Sequence, residues 1–241
     1  MRGYFLRNKM LPKKNDALSE VMKALKNLSH PEHIAGKSRW NITAKNQMGI
    51  TIPSLRLLAK KIGKNHALAL ELWKTGFHEA RILAGMIDDS HLVTSTQMDN
   101  WTADFDSWDI CDQTCGNLFD KTKYAYTKID QYVKDPREFV RRTAFTLMAT
   151  LAVHDKKSSD AVFKKFFPLI QKYATDERNF VKKAVNWALR QIGKRNETLR
   201  NEAVASAEKI LKIDHPAARW IARDALRELQ SDAVQNRLRA T

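Results

Sequence analysis

One pattern recurs along the chain at a near-constant offset, and it leaves few folds open. Asp135-Pro136-Arg137-Glu138-Phe139-Val140-Arg141-Arg142 aligns with Asp176-Glu177-Arg178-Asn179-Phe180-Val181-Lys182-Lys183 at an offset of 41. Ala188-Leu189-Arg190-Gln191-Ile192 aligns with Ala225-Leu226-Arg227-Glu228-Leu229 at an offset of 37, and a weaker echo, His78-Glu79-Ala80-Arg81-Ile82, precedes both. A unit of about 40 residues with two helices is the period of HEAT-like repeats, which bury their apolar faces only by stacking on one another. The pattern predicts an all-α HEAT-like repeat solenoid of stacked antiparallel helix pairs, one helix of each pair lining a concave basic face.

Amphipathic periodicity agrees, placing helices at 16–29, 52–63, 66–74, 78–88, 94–105, 107–119, 123–134, 137–153, 158–173, 177–194, 198–212 and 215–230. Thr51 with Pro53 reads as a cap followed by proline in the first turn, a device repeated at Asp135-Pro136 and Asp214-His215-Pro216. Only 8 Gly and 6 Pro occur in 241 residues, too few for the turns of a sandwich or barrel. No glycine-rich phosphate loop follows a strand-like run, which removes the usual mark of nucleotide chemistry. Cys111 and Cys115 lie one helical turn apart, poorly placed for a disulfide and too few for zinc, and read as small packing residues of a reducing cytoplasm. No run approaches the roughly 20 apolar residues of a membrane span. Residues 1–14 carry five basic and no acidic side chains and read as a flexible basic arm without signal-peptide character, ahead of a single domain over 15–241. A cytoplasmic, nucleoid-associated monomer is expected.

The 42 Lys and Arg exceed the 27 Asp and Glu, leaving a formal charge of +15 that favours a polyanionic partner. The excess is uneven. Residues 1–75 hold 15 basic and 4 acidic side chains and 121–200 hold 19 and 8, while 76–120 hold 1 and 9. Most of this acidic island, Asp88, Asp89, Asp99, Asp104, Asp106 and Asp120, reads as caps and solvated faces. In the repeats, Phe139 and Phe180 read as core anchors. The cationic pairs Arg141-Arg142 and Lys182-Lys183 recur at equivalent places, and all four are expected to face a phosphate backbone, Arg142 and Lys183 lining one ridge.

Within the acidic island, Trp108 and Asp112 stand at i and i+4 and share a helix face; downstream, Trp187 and Arg190 stand at i and i+3. Both indoles keep company with charge, where a core Trp would want apolar neighbours. One carboxylate, two indoles and one or two arginines on inward helix faces make a candidate pocket.

At these residues the sequence resembles a known family. Trp108-Asp109-Ile110-Cys111-Asp112 is similar to the W-D-x-x-D element of the AlkD-type DNA alkylation repair glycosylases, which are HEAT-like solenoids. The likeness continues through Phe139-Val140-Arg141-Arg142, through Phe180 to Arg190, and upstream through Met48-Gly49-Ile50-Thr51-Ile52-Pro53. It implies a monofunctional enzyme, without cofactor or metal, that hydrolyses the N-glycosidic bond of cationic N3- and N7-alkylpurines in double-stranded DNA while the base stays stacked. By position, Asp112 would be the catalytic carboxylate, Trp108 and Trp187 would pack on the deoxyribose, Arg142 and Arg190 would contact phosphates, and Trp40 would touch DNA. The residues after Trp108 and the basic arm depart from the family pattern. A non-catalytic solenoid of the same ancestry, binding branched or flexed DNA or a protein, is the alternative.

Overall fold

The computed structural model describes residues 14–38, 42 and 46–240. From the N-terminus the helices are α1 (Lys14–Asn27), α2 (Glu32–Ser38), α3 (Ile52–Ile62), α4 (His66–Lys74), α5 (His78–Ile87), α6 (Ser95–Ala103), α7 (Trp108–Asn117), α8 (Ala125–Tyr132), α9 (Glu138–His154), α10 (Asp160–Lys164), α11 (Phe167–Lys172), α12 (Asn179–Gly193), α13 (Glu197–Leu211), α14 (Pro216–Leu229) and α15 (Asp232–Arg239), with a 3₁₀ turn at Phe119–Lys121. No strand occurs among the described residues. Residues 1–13 of the expected arm, and Trp40, lie outside the described residues.

The helices form two rows. In one, α3, α5, α7, α9, α12 and α14 pack each against the next; in the other, α4, α8 and α13 back α5, α9 and α14. One continuous apolar core runs between the rows, from Leu25 and Leu55 through Ile110, Phe145 and Val185 to Ile221 and Leu229.

Local chemistry fixes the joints. Thr51 caps α3 by accepting the Ser54 amide, with proline in the first turn, as expected. Just before it the Glu79 carboxylate, buried at the start of α5, accepts the Met48 and Gly49 amides at 2.8 and 2.9 Å. Gly49 has φ 74°, and a Cβ there would run into the His30 carbonyl, so only glycine makes this approach without strain. The other two proline devices differ from expectation. His215 caps α14, its Nδ1 accepting the Ala217 amide, while Asp214 pairs with Arg219. Helix α9 starts only at Glu138, because the Asp135 carboxylate folds back onto the Arg137 amide and guanidinium.

The helix expected over 158–173 is divided into α10 and α11. The break falls at residues 165–166: Pro168 has no amide to donate to the Lys164 carbonyl and takes a first-turn position of α11, where none is needed. Helices α2 and α15 lie in segments where the periodicity placed no helix. Cys111 and Cys115 are free thiols in the core, as read from their spacing. The acidic island is less solvated than expected. Asp88 and Asp120 are buried, Asp88 bonded to His66 and Gln97 at 2.6 Å each and Asp120 paired with His154 at 2.5 Å. Asp99 holds Lys128 and Tyr132, and Asp104 accepts the Trp73 indole N–H.

Candidate active site and nucleic-acid interface

Three successive helices of the first row, α7, α9 and α12, enclose a cavity of about 280 Å³ lined by Trp108, Asp112, Arg142, Phe180, Lys183 and Trp187. The spacings explain the grouping. Trp108 and Asp112 lie one turn apart on α7, and Phe180, Lys183 and Trp187 follow the i, i+3, i+7 line of α12. A wider groove of about 580 Å³ shares Trp108, Asp112 and Trp187 and adds Arg56, Lys121 and His154.

Asp112 is held on one side and open on the other. Arg142 donates to it through Nε and Nη2 at 2.8 to 3.1 Å, and the Thr146 hydroxyl donates at 3.2 Å. Its side chain nevertheless keeps 17% of its surface exposed, toward the cavity it lines. Burial pushes the carboxyl above the ordinary carboxylate range, while the Arg142 and Thr146 bonds pull the other way.

The start of α7 is itself anchored. Asp109, buried beside Trp108, pairs with His78 Nε2 of α5 at 2.8 Å through one oxygen; the other accepts the Ser107 hydroxyl and the Ile110 amide. Two helices therefore fix where Asp112 points, α5 through Asp109 and α9 through Arg142.

The cations are placed differently from one another. Lys183 is exposed on the cavity rim. Arg142, expected at a phosphate, is turned inward: its side chain is 6% exposed, and beyond Asp112 it donates to the Phe180 carbonyl at 2.6 Å. Arg190 shares the Trp187 face but is tied to Glu228 and Asp224 of α14 and does not line the cavity. Arg141 is directed to the next repeat, bonded to Asp176 at 2.8 Å and to the Val133 carbonyl, with Tyr173 beneath it. Among the described residues no equivalent aspartate receives Lys182, whose ammonium lies 5.1 Å from the Trp220 ring. Phe139 and Phe180, expected as core anchors, are half-buried and stack at 5.3 Å, with Phe180 forming a cavity wall.

Thr146 and the groove residues Arg56 and His154 were not singled out in the sequence. Thr146 was within reach, since it stands four residues after Arg142 on the same face. The cavity offers one carboxylate among cations, a donor set for anions rather than for a metal ion. Elsewhere His30, Glu32 and His33 bring possible ligand atoms within 4.8 Å at the exposed start of α2.

Stacked helix pairs with a carboxylate, two indoles and cations on one row define a helical-repeat protein whose site suits a polyanion. A family profile described as DNA alkylation repair enzyme matches residues 21–229, and the chain belongs to that family. The chain also superposes with a TM-score of 0.72, at 19% identity over 88% of its length and 94% of the other's, on a solved structure. That structure is described as one of a new family of proteins related to the HEAT-like repeat DNA glycosylases, with affinity for branched DNA structures; the likeness establishes the HEAT-like fold. No curated protein matches the sequence significantly.

Proposed function

We propose that this protein is a DNA glycosylase that hydrolyses the N-glycosidic bond of N3- or N7-alkylated purines in duplex DNA. The observation that carries the reading is Asp112: a carboxylate lining a cavity with two indoles, held from behind by Arg142 and open on the cavity side.

Alkylation at N3 or N7 makes the purine cationic, so it leaves as a neutral base and needs no general acid. The bond to C1′ breaks with its electron pair going to the purine, and positive charge grows on the sugar. A carboxylate fixed beside that charge stabilises it without reorganising. The same group accepts a proton from the water that attacks C1′, as one carboxylate does in glycoside hydrolysis. The faces of Trp108 and Trp187 add cation–π attraction of about 1–2 kcal/mol each where water is excluded. Arg142 acts here as the positioning residue for Asp112. Lys183 and Lys182 serve the phosphates, and Arg190 joins them if strand binding draws it from Glu228. Contacts of this kind from one face of a ridge read duplex shape and leave the base in its stack.

Chromatography of the supernatant from methylated duplex DNA tests the reading. The wild-type protein is expected to release 7-methylguanine or 3-methyladenine and leave abasic sites; intact DNA at enzyme excess overturns it. The solved relative's affinity for branched DNA favours a second reading, a binding protein without turnover. That reading predicts tight binding of forked DNA with no base released.

A further inference from the structure

One repeat beyond the cavity, α14 presents a second groove, of about 490 Å³, lined by Pro216, Arg219, Trp220, Arg223, Asp224 and Arg227. Trp220 is 41% exposed, the one aromatic among the exposed large apolar residues of the described chain. It shares a helix face with Arg223 and Arg227, three and seven residues on. Lys182 of α12 lies 5.1 Å from its ring centroid, so a cation rather than an apolar neighbour braces the indole. The carboxylates nearby are already engaged, Asp224 by Arg190 and Arg227, and Asp214 by Arg219. Arg223 is exposed and has no ion pair among the described residues. An open indole among cations is the arrangement by which proteins hold single-stranded nucleic acid, with a base stacked on the ring and its phosphates on the flanking charges.

We propose that this groove binds an unpaired nucleobase of a DNA single strand, stacked on Trp220, with an adjoining phosphate on Arg223. A base inside a continuous duplex is covered on both faces by its stacked neighbours, so the site separates tailed or forked DNA from uninterrupted duplex. It lies outside the Asp112 cavity and stands whether or not that cavity releases bases.

The test compares equilibrium binding of three labelled DNAs sharing one duplex: blunt, carrying a short single-stranded tail, and carrying a tail of equal length whose residues are abasic. Wild-type protein is expected to favour the base-bearing tail over the abasic tail by about tenfold, the scale of one stacking contact. Trp220→Ala should abolish that preference and leave blunt-duplex affinity within about twofold, Trp220→Phe should retain most of it, and Arg223→Ala should weaken both tails alike. Equal wild-type affinity for the two tails, or a preference that survives Trp220→Ala, overturns the proposal. The abasic comparison needs no variant and decides the matter even if a substitution disturbs folding.

Discussion

Desolvation raises the Asp112 carboxyl above the ordinary carboxylate range, and its bonds to Arg142 and Thr146 oppose that rise. Because the ionised form is the one that stabilises a sugar cation, base release should decline on acidification earlier than an ordinary carboxylate would dictate. Arg142→Ala removes the strongest opposing influence, so the acid limb of the rate profile should move to higher pH. The same substitution strands a desolvated charge, and urea unfolding near neutral pH should show a loss of about 3 kcal/mol. A carboxyl whose folded-state pKa lies above its unfolded one contributes stability at low pH and loses it as pH rises, so the deficit should shrink as Asp112 becomes protonated. An unmoved acid limb would mean that Arg142 does not govern Asp112. Trp108 and Asp112 were legible as a pair because one-turn spacing on a helix is a local property; Trp187, on α12, joined them through its charged company and the family resemblance rather than through spacing. The partners of Arg142 and Arg190 were not, since Asp112 lies 30 residues before the one and Glu228 lies 38 residues after the other. Which turns meet across two repeats depends on how the repeats stack.

At the scale of the element, α7 is steered from its first turn. Asp109 takes the Ser107 hydroxyl and the Ile110 amide on one oxygen and His78 on the other, joining α5 to the helix that carries Trp108 and Asp112. Asp109→Ala would leave those buried donors unsatisfied, and a loss of about 2 kcal/mol in chemical denaturation is expected. Because α7 would also shift, single-turnover base release should fall while overall DNA affinity is kept; unchanged release would remove Asp109 from the positioning role. Element legibility followed pattern strength. The long amphipathic helices α9, α12, α13 and α14 came within about two residues of their expected ends, the usual scatter of helix termini. Helix α2 has one central Ile34 and an internal Gly36, and the apolar residues of α15, Ala233, Val234 and Leu238, span barely two turns, so neither offers a run long enough to read as periodic. The Ser231 cap of α15, which accepts the Val234 amide, was the signal available. The break before Pro168 was also readable from the proline, but the apolar rhythm on either side of it hid the interruption.

Over the whole molecule, charge and repeat act together. The +15 excess supplies a salt-dependent attraction to DNA, while the repeat decides which cations face outward. Lys183, exposed on the cavity rim, is expected to release one counterion on binding, so Lys183→Ala should flatten the slope of log affinity against log salt by about one unit. Arg141, engaged by Asp176 and stacked on Tyr173, should leave the slope unchanged when replaced, though stability would suffer. Equal slopes for both variants would contradict this division. The repeat offset and the composition made the solenoid readable; the identity of the free cations was not, because both members of each basic pair look alike until stacking assigns one of them to the neighbouring repeat. The proposed chemistry rests on Asp112, and it is tested by single-turnover release of 7-methylguanine from duplex DNA by wild-type protein and Asp112→Asn, with duplex affinity measured on the same preparations. A fall in rate of at least about a hundredfold at nearly constant affinity is predicted. Release at the wild-type rate by Asp112→Asn would contradict it.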